Sequence, residues 1–312
     1  MSHRKPNYHN FFPKKPPPKS PPKPEGKDLL HILDEFSPAS IQHSKRKIEL
    51  LLQYHWDFYC DLVIKRAKVL PEIKESLAAA AIKGFPFDHW QRVTKYKWSL
   101  SPLSSCGSLN CPGGRFNIGD IDTTRFPPFP ALYISSDRDT CIQEMFGPPL
   151  NGPLTPFEFA LTNPNSLSSI SMSGSLESAI DLRDKHSLKG FVDILKKFDI
   201  PDDLMQDARE LNIADPQLLT TVDQLINALL DPNWRLSPIQ LDIPGPPQIF
   251  GQLVREAGVD GIIYPSKYTS KPCLALFPHN FEKSESYVQL DDTPPLDTII
   301  RRLDASNWQT TI

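Results

Sequence analysis

Gly113-Gly114-Arg115-Phe116-Asn117, then Tyr133, then Glu144 are the residues of this 312-residue chain whose types and order could do chemistry together. Two adjacent glycines open backbone conformations closed to other residues and let a ligand approach the main chain. They deliver Arg115, whose planar fork suits the oxygens of a diphosphate. Ala131-Leu132-Tyr133-Ile134-Ser135 is an apolar run holding one tyrosine, the pattern of a short buried strand. Ser135-Ser136-Asp137 supplies side-chain oxygens that can cap a helix start, and Glu144 follows about two turns further on. An arginine, an aromatic ring and a carboxylate on neighbouring elements can clamp a phosphorylated, ring-bearing molecule. Singly they have plainer readings: a solvated helix Glu, a core strand Tyr, an ion-paired Arg.

The elements that must hold these residues can be followed along the chain. From Asp28 to about Lys83 the pattern is helical. Ser37-Pro38 is a start signal, and Ile41, Ile48, Leu51, Leu52, Tyr59, Leu62 and Val63 keep helical spacing towards Val69. Pro71 restarts a second helix through Ile73, Leu77 and Ala78–Ala81, with Gly84 placed to end it. Such a pair could cap a catalytic domain or form a homodimer surface; His55 and Trp56 read as packing residues. Trp90-Gln91-Arg92-Val93 is a first strand. Thr155–Leu161 alternates like another, and Ser166–Ser175 reads as a low-complexity turn region with room for a short strand. Residues 176–235 read as mostly helical, punctuated by Pro201, Pro216 and Pro232. A helix from about Pro247 to Ala257 and a strand Gly261–Pro265 follow. Beyond Phe277 the chain is polar, with one small amphipathic helix expected around Leu296–Leu303.

Composition narrows the classes. Five cysteines include no C-x-x-C pair, and the eight histidines show no H-x-x-x-H spacing. Neither a metal site nor a disulfide framework is expected, and a reducing cytoplasm fits best. No apolar run nears the roughly 18 residues that span a bilayer, and the N-terminus lacks the apolar core of a secretory leader. Residues 1–27 hold eight prolines and seven Lys/Arg against one Glu, a charge of +6 that leaves −9 for the remainder. The first segment cannot build a core and reads as a disordered tail. The acidic remainder argues against nucleic acid as a partner.

The Gly113–Asn117 segment with Tyr133 and Glu144 resembles the RES domain, a family named for an Arg, a Glu and a Ser. The resemblance continues through Arg255-Glu256-Ala257-Gly258-Val259-Asp260-Gly261-Ile262-Ile263-Tyr264-Pro265-Ser266 and Cys273-Leu274-Ala275-Leu276-Phe277. It implies an α+β, ADP-ribosyltransferase-like fold with a central mixed sheet over residues 85–282, preceded by the helical region 28–84. Residues 176–235 become an insertion in that domain and 283–312 a C-terminal extension.

The resemblance also implies NAD as substrate rather than as a cofactor, and many members are toxins restrained by a separately encoded antitoxin. Glu144 would then stabilise a cationic ribose, Tyr133 would stack on nicotinamide or its ribose, and Arg115 would pair with the diphosphate. Ser266 would hydrogen-bond ribose or nicotinamide, with Arg92, Asn117 and Ser135 as further contacts. The activity implied is cleavage of the nicotinamide–ribose bond by a glycohydrolase or phosphorylase. Two other readings stay open: a protein ADP-ribosyltransferase, and a non-catalytic interaction protein on the same scaffold.

Overall fold

Proline and the apolar period set the first two helices. Helix α1 (Pro38–Lys68) opens on a proline, whose fixed φ suits a first helical turn. Helix α2 (Leu70–Ala80) carries Pro71 in its own first turn and buries Ile73 and Leu77. The computed structural model describes residues 38–147, 167–214 and 216–311. Residues up to Arg46 fall in one unit and those from Lys47 onward in another. The proposed tail 1–27, the Ser37 cap and the expected 155–161 strand lie outside the described residues.

Among the described residues seven strands follow in chain order: β1 (Ile82–Lys95), β2 (Leu132–Ser135), β3 (Leu167–Asp181), β4 (Gly261–Pro265), β5 (Pro272–Leu276), β6 (Tyr287–Leu290) and β7 (Arg302–Leu303). Their order in the sheet is β1-β2-β5-β4-β3-β6-β7, and β1 also pairs with β3. That extra pairing closes β1, β2, β5, β4 and β3 into a ring. The ladder between β3 and β4 is parallel and the others are antiparallel, so the sheet is mixed. The ring is sewn unevenly. The β1–β3 ladder runs from Ile82↔Ala179 to Lys95↔Leu167, whereas β1 meets β2 through Gln91↔Ser135.

Alternation along the strands makes two cores. Leu132, Ile134, Met172, Leu176, Ile263, Leu274 and Leu276 pack together on one face. Ile262, Tyr264, Cys273 and Ala275 point the other way, into a cluster with helix residues. Those helices are α4 (Lys189–Leu195), α6 (Val222–Leu230) and α8 (Pro246–Glu256). Helix α3 (Arg138–Phe146) follows β2, while α5 (Asp202–Leu211) and α7 (Leu236–Gln240) complete the set. Trp56 does pack, with its ring against Tyr59 and Phe126.

Four expectations are corrected. Gly84 does not end α2; it lies inside β1 at φ +66, a conformation glycine accepts freely. Ser166–Ser175 holds more than a short strand in a turn region: from Leu167 onward it is the long strand β3. Its serines face solvent or neighbouring polar groups while Met172 and Leu176 are buried, so alternation outweighs serine's turn preference. Residues 176–181 accordingly belong to the sheet, and the helical stretch begins only at Lys189. No helix forms at 296–303. Pro294 and Pro295 precede a turn that leaves Leu296 and Ile299 exposed, and Arg302–Leu303 pairs with β6 instead. Among the described residues no helix is long and apolar enough to cross a membrane.

Candidate active site

Gly113 and Gly114 are there because two neighbours leave no room for a Cβ. One on Gly113 (φ +99) would strike the Asn117 carbonyl, and one on Gly114 would strike the Tyr133 hydroxyl. Asn117 is fully buried and ties the loop together. Its Oδ1 accepts from Gly114 N and Tyr133 OH, both at 2.9 Å, while its Nδ2 donates to the Ser108 and Phe129 carbonyls. Gln248 of α8 does the same from the other side. Its Nε2 reaches the carbonyls of Pro112 (2.7 Å), Asn117 (3.0 Å) and Gly114 (3.3 Å). The side-chain amides of Asn117 and Gln248 thus spend their hydrogen bonds on the backbone of this loop.

Arg115 projects from that loop. Its Nη1 donates to the Leu229 and Asp231 carbonyls, at 3.1 and 2.9 Å, at the C-terminal end of α6. Carbonyls at a helix C-terminus carry partial negative charge and steady a cation without neutralising it. The guanidinium lies 5.8 Å from the Trp234 ring centroid, and Arg235 stacks on the same ring at 4.6 Å. Burial, then repulsion by Arg115, lowers the Arg235 pKa, and Glu144 works against that shift. Two guanidiniums beside one ring are the kind of pair that can take an anion with more than one charged oxygen.

On the opposite wall, Asp137 caps α3 and accepts from Thr140 N at 3.1 Å and Thr140 Oγ1 at 2.7 Å. Glu144 sits in the last turns of that helix and receives a 2.6 Å hydrogen bond from Ser266 Oγ. Ser266 is 3% exposed, and its Oγ accepts from the amides of Tyr268 (3.2 Å) and Thr269 (3.3 Å). Thr140 Oγ1 and Thr269 Oγ1 join the helix to that turn again at 2.9 Å. The carboxylate is therefore aimed by both α3 and the chain after β4.

These walls enclose a cavity of about 230 Å³ whose lining includes Arg115, Arg235, Tyr133, Glu144, Trp234 and Tyr268. Lys267, Tyr264, Ser135 and Cys141 also line it. Burial pushes the hydroxyls of Tyr133 and Tyr264 above the ordinary tyrosine range, so both stay protonated. The Tyr133 hydroxyl is occupied, accepting from Phe116 N and donating to Asn117, which leaves its ring as the surface it can offer. Ser135 Oγ pairs with Cys273 Sγ at 3.2 Å, and burial pushes that thiol up to about 12, far from a reactive thiolate.

The residues singled out from sequence divide into three groups. Arg115, Tyr133, Ser135 and Glu144 share the cavity, and Ser266 stands directly behind Glu144. Asn117 is buried scaffold under the glycines. Arg92 stands apart from the cavity lining. Its guanidinium donates to the Pro102 and Ser104 carbonyls at 2.5 and 2.8 Å, and burial lowers its pKa to about 10. Sequence reasoning missed Trp234, Arg235, Gln248 and Lys267. Trp234-Arg235 behind Pro232, an aromatic–cation pair in a loop, was the signal available for two of them.

No curated protein sequence matches the chain. The crystal structure of the M. tuberculosis MbcT-MbcA toxin-antitoxin complex contains a chain 13% identical, with a TM-score of 0.39; the match covers 77% of this chain and 96% of that one. The family model described as RES domain matches residues 89–298, well over half of the chain and the whole interval from β1 past Ser266. The chain belongs to the RES domain family.

Proposed function

We propose that this protein cleaves the bond between nicotinamide and ribose in NAD. The observation that carries the reading is the pairing, in one cavity, of a carboxylate fixed by Ser266 with two guanidiniums stacked on Trp234. NAD presents the complementary features: a diphosphate for Arg115 and Arg235, a flat ring for Tyr133 or Trp234, and a ribose that becomes cationic as nicotinamide leaves. A fixed carboxylate stabilises that charge more in the transition state than in the ground state, which is what accelerates a reaction. Ser266 acts as a positioning residue, holding one carboxylate oxygen so that the other faces the cavity. Lys267 adds a third positive charge at the rim.

Water or inorganic phosphate is the acceptor that best fits, because the cations that take the diphosphate can also hold phosphate. A protein that consumes NAD needs restraint in its own cell, and the antitoxin implied by the family resemblance would supply it. Nicotinamide release from NAD by the purified chain, with products resolved by mass spectrometry with and without phosphate, tests the reading. Free or phosphorylated ADP-ribose is expected. No nicotinamide release overturns it, and stoichiometric label on one lysate protein would replace it with a protein ADP-ribosyltransferase.

A further inference from the structure

Behind helix α6 lies a second cavity, of about 270 Å³, whose walls come from α1, α4, α6 and α8. Its lining is apolar almost throughout, with Phe58 and Leu62 of α1, Phe191 of α4 and Phe250 of α8 among the contributors. Gln217 aside, Arg66 is the exception. Its guanidinium lies 5.9 Å from the Tyr59 ring centroid, and burial lowers its pKa. Among the described residues no carboxylate or carbonyl partners it. A half-buried cation beside an apolar hollow lacks the anion that would offset its partial desolvation. The hollow is larger than the cavity of roughly 150 Å³ that takes up benzene, so an acyl chain of medium length has room.

The same two helices serve the candidate active site from their other sides. Leu229 gives its side chain to this cavity and its carbonyl to Arg115. Helix α8 gives Phe250 and Leu253 to the cavity, while its Gln248 holds the carbonyls of the glycine loop. A molecule seated between α6 and α8 therefore bears on both supports of Arg115.

We propose that this cavity binds a carboxylate-headed apolar small molecule, the carboxylate paired with Arg66 and the chain between α1, α6 and α8, and that occupancy is transmitted to Arg115 through Leu229. The shape of the lining and the sign of its single charge select that class over cations and over sugars or nucleotides. Binding at this site stands independently of what the candidate active-site cavity does.

Calorimetric titration of the full chain with decanoate tests the site, with decylamine as the same chain bearing the opposite charge. Saturable one-to-one binding of decanoate and none of decylamine is expected. Arg66→Gln should weaken decanoate about tenfold, as loss of a charge-assisted pair does. Ala228→Phe, which fills the hollow from α6, should abolish binding. Decanoate should also alter tryptophan emission in the wild type and not in Trp234→Phe, because Trp234 is the ring beside Arg115. Equal affinity of Arg66→Gln and wild type, equal binding of decylamine, or no saturable heat below the micelle-forming concentration overturns the site. Binding with unaltered Trp234 emission overturns the link to Arg115. A dimer that decanoate dissociates would assign the hollow to a second copy of the chain instead.

Discussion

Ser266 Oγ donates a 2.6 Å hydrogen bond to Glu144 Oε1 across 122 residues of sequence. The serine is itself held by two backbone amides of the turn that follows it. Replacing the charge and removing its support should differ in size. Glu144→Gln keeps the shape and should lower single-turnover NAD cleavage by about 10²–10³, the usual worth of one electrostatic contact to a developing charge. Ser266→Ala should lower kcat about tenfold with KM near the wild-type value, since it frees the carboxylate without touching substrate binding. A wild-type rate for Glu144→Gln would remove it from the chemistry.

Arg115 and Arg235 share one aromatic ring, so their contributions should couple. Arg115→Ala in a Glu144→Gln background should weaken NAD binding about tenfold or more, measured by calorimetry, and the double variant should lose less than the sum of the singles. Because Arg235 is exposed, its share should shrink as salt rises. An unchanged NAD affinity in Arg115→Ala would dissociate the arginine from the diphosphate.

Asp137 should stabilise the helix that carries Glu144 in a pH-dependent way. Burial raises its carboxyl, but hydrogen bonds from Thr140 and the Lys271 charge outweigh that and hold it below the ordinary 3.8. A depressed carboxylate contributes stability above its unfolded pKa and loses it as pH falls through the folded value. Asp137→Ala should cost about 1 kcal/mol at neutral pH, as loss of a helix cap does, and progressively less below pH 3.8. Urea melts at several pH values would show it; a constant difference down to strong acid would contradict the assignment.

Asp260 should behave with the opposite sign. It is 1% exposed, and burial raises its pKa although Ser178 donates to Oδ2 from both N (3.0 Å) and Oγ (2.9 Å). The folded state then keeps the proton to higher pH than the unfolded state, so stability falls as pH rises from about 4 through the folded value. Asp260→Asn, neutral throughout, should flatten that decline in thermal melts from pH 4 to pH 8. A decline as steep as the wild type's would place its origin elsewhere.

What could be read from sequence was what local pattern decides. The β2 run, the Asp137 cap and the position of Glu144 are all written within a dozen residues, and the structure has them together. Proline placed α1 and α2 almost to the residue. Strand β3 was hidden because serine at its outward positions reads as turn, and only pairing with β1 on one side and β4 and β6 on the other reveals it. Arg92 and Arg115 look alike in sequence. What separates them is which carbonyls each guanidinium reaches, and those carbonyls are remote for Arg115, 114 and 116 residues away. Trp234 and Arg235 stand out locally as an aromatic–cation pair behind Pro232, but their return to the site depends on tertiary packing, which that pair does not encode.

The uneven sewing of the strand ring gives it a natural place to breathe. Parting β1 from β3 means losing a long ladder at once, whereas β1 and β2 are joined at Gln91 and Ser135, backed by the Cys141 thiol on the Gln91 carbonyl at 2.9 Å. Ser135 and Cys141 both belong to the wall of the candidate active-site cavity. Local opening free energies follow the number of pairs that must break together, so amide exchange should be fastest at this joint within the ring. A ligand wider than the resting mouth could then be admitted by a brief unzipping at one seam, with Arg115 still on the α6 carbonyls and Glu144 still on Ser266.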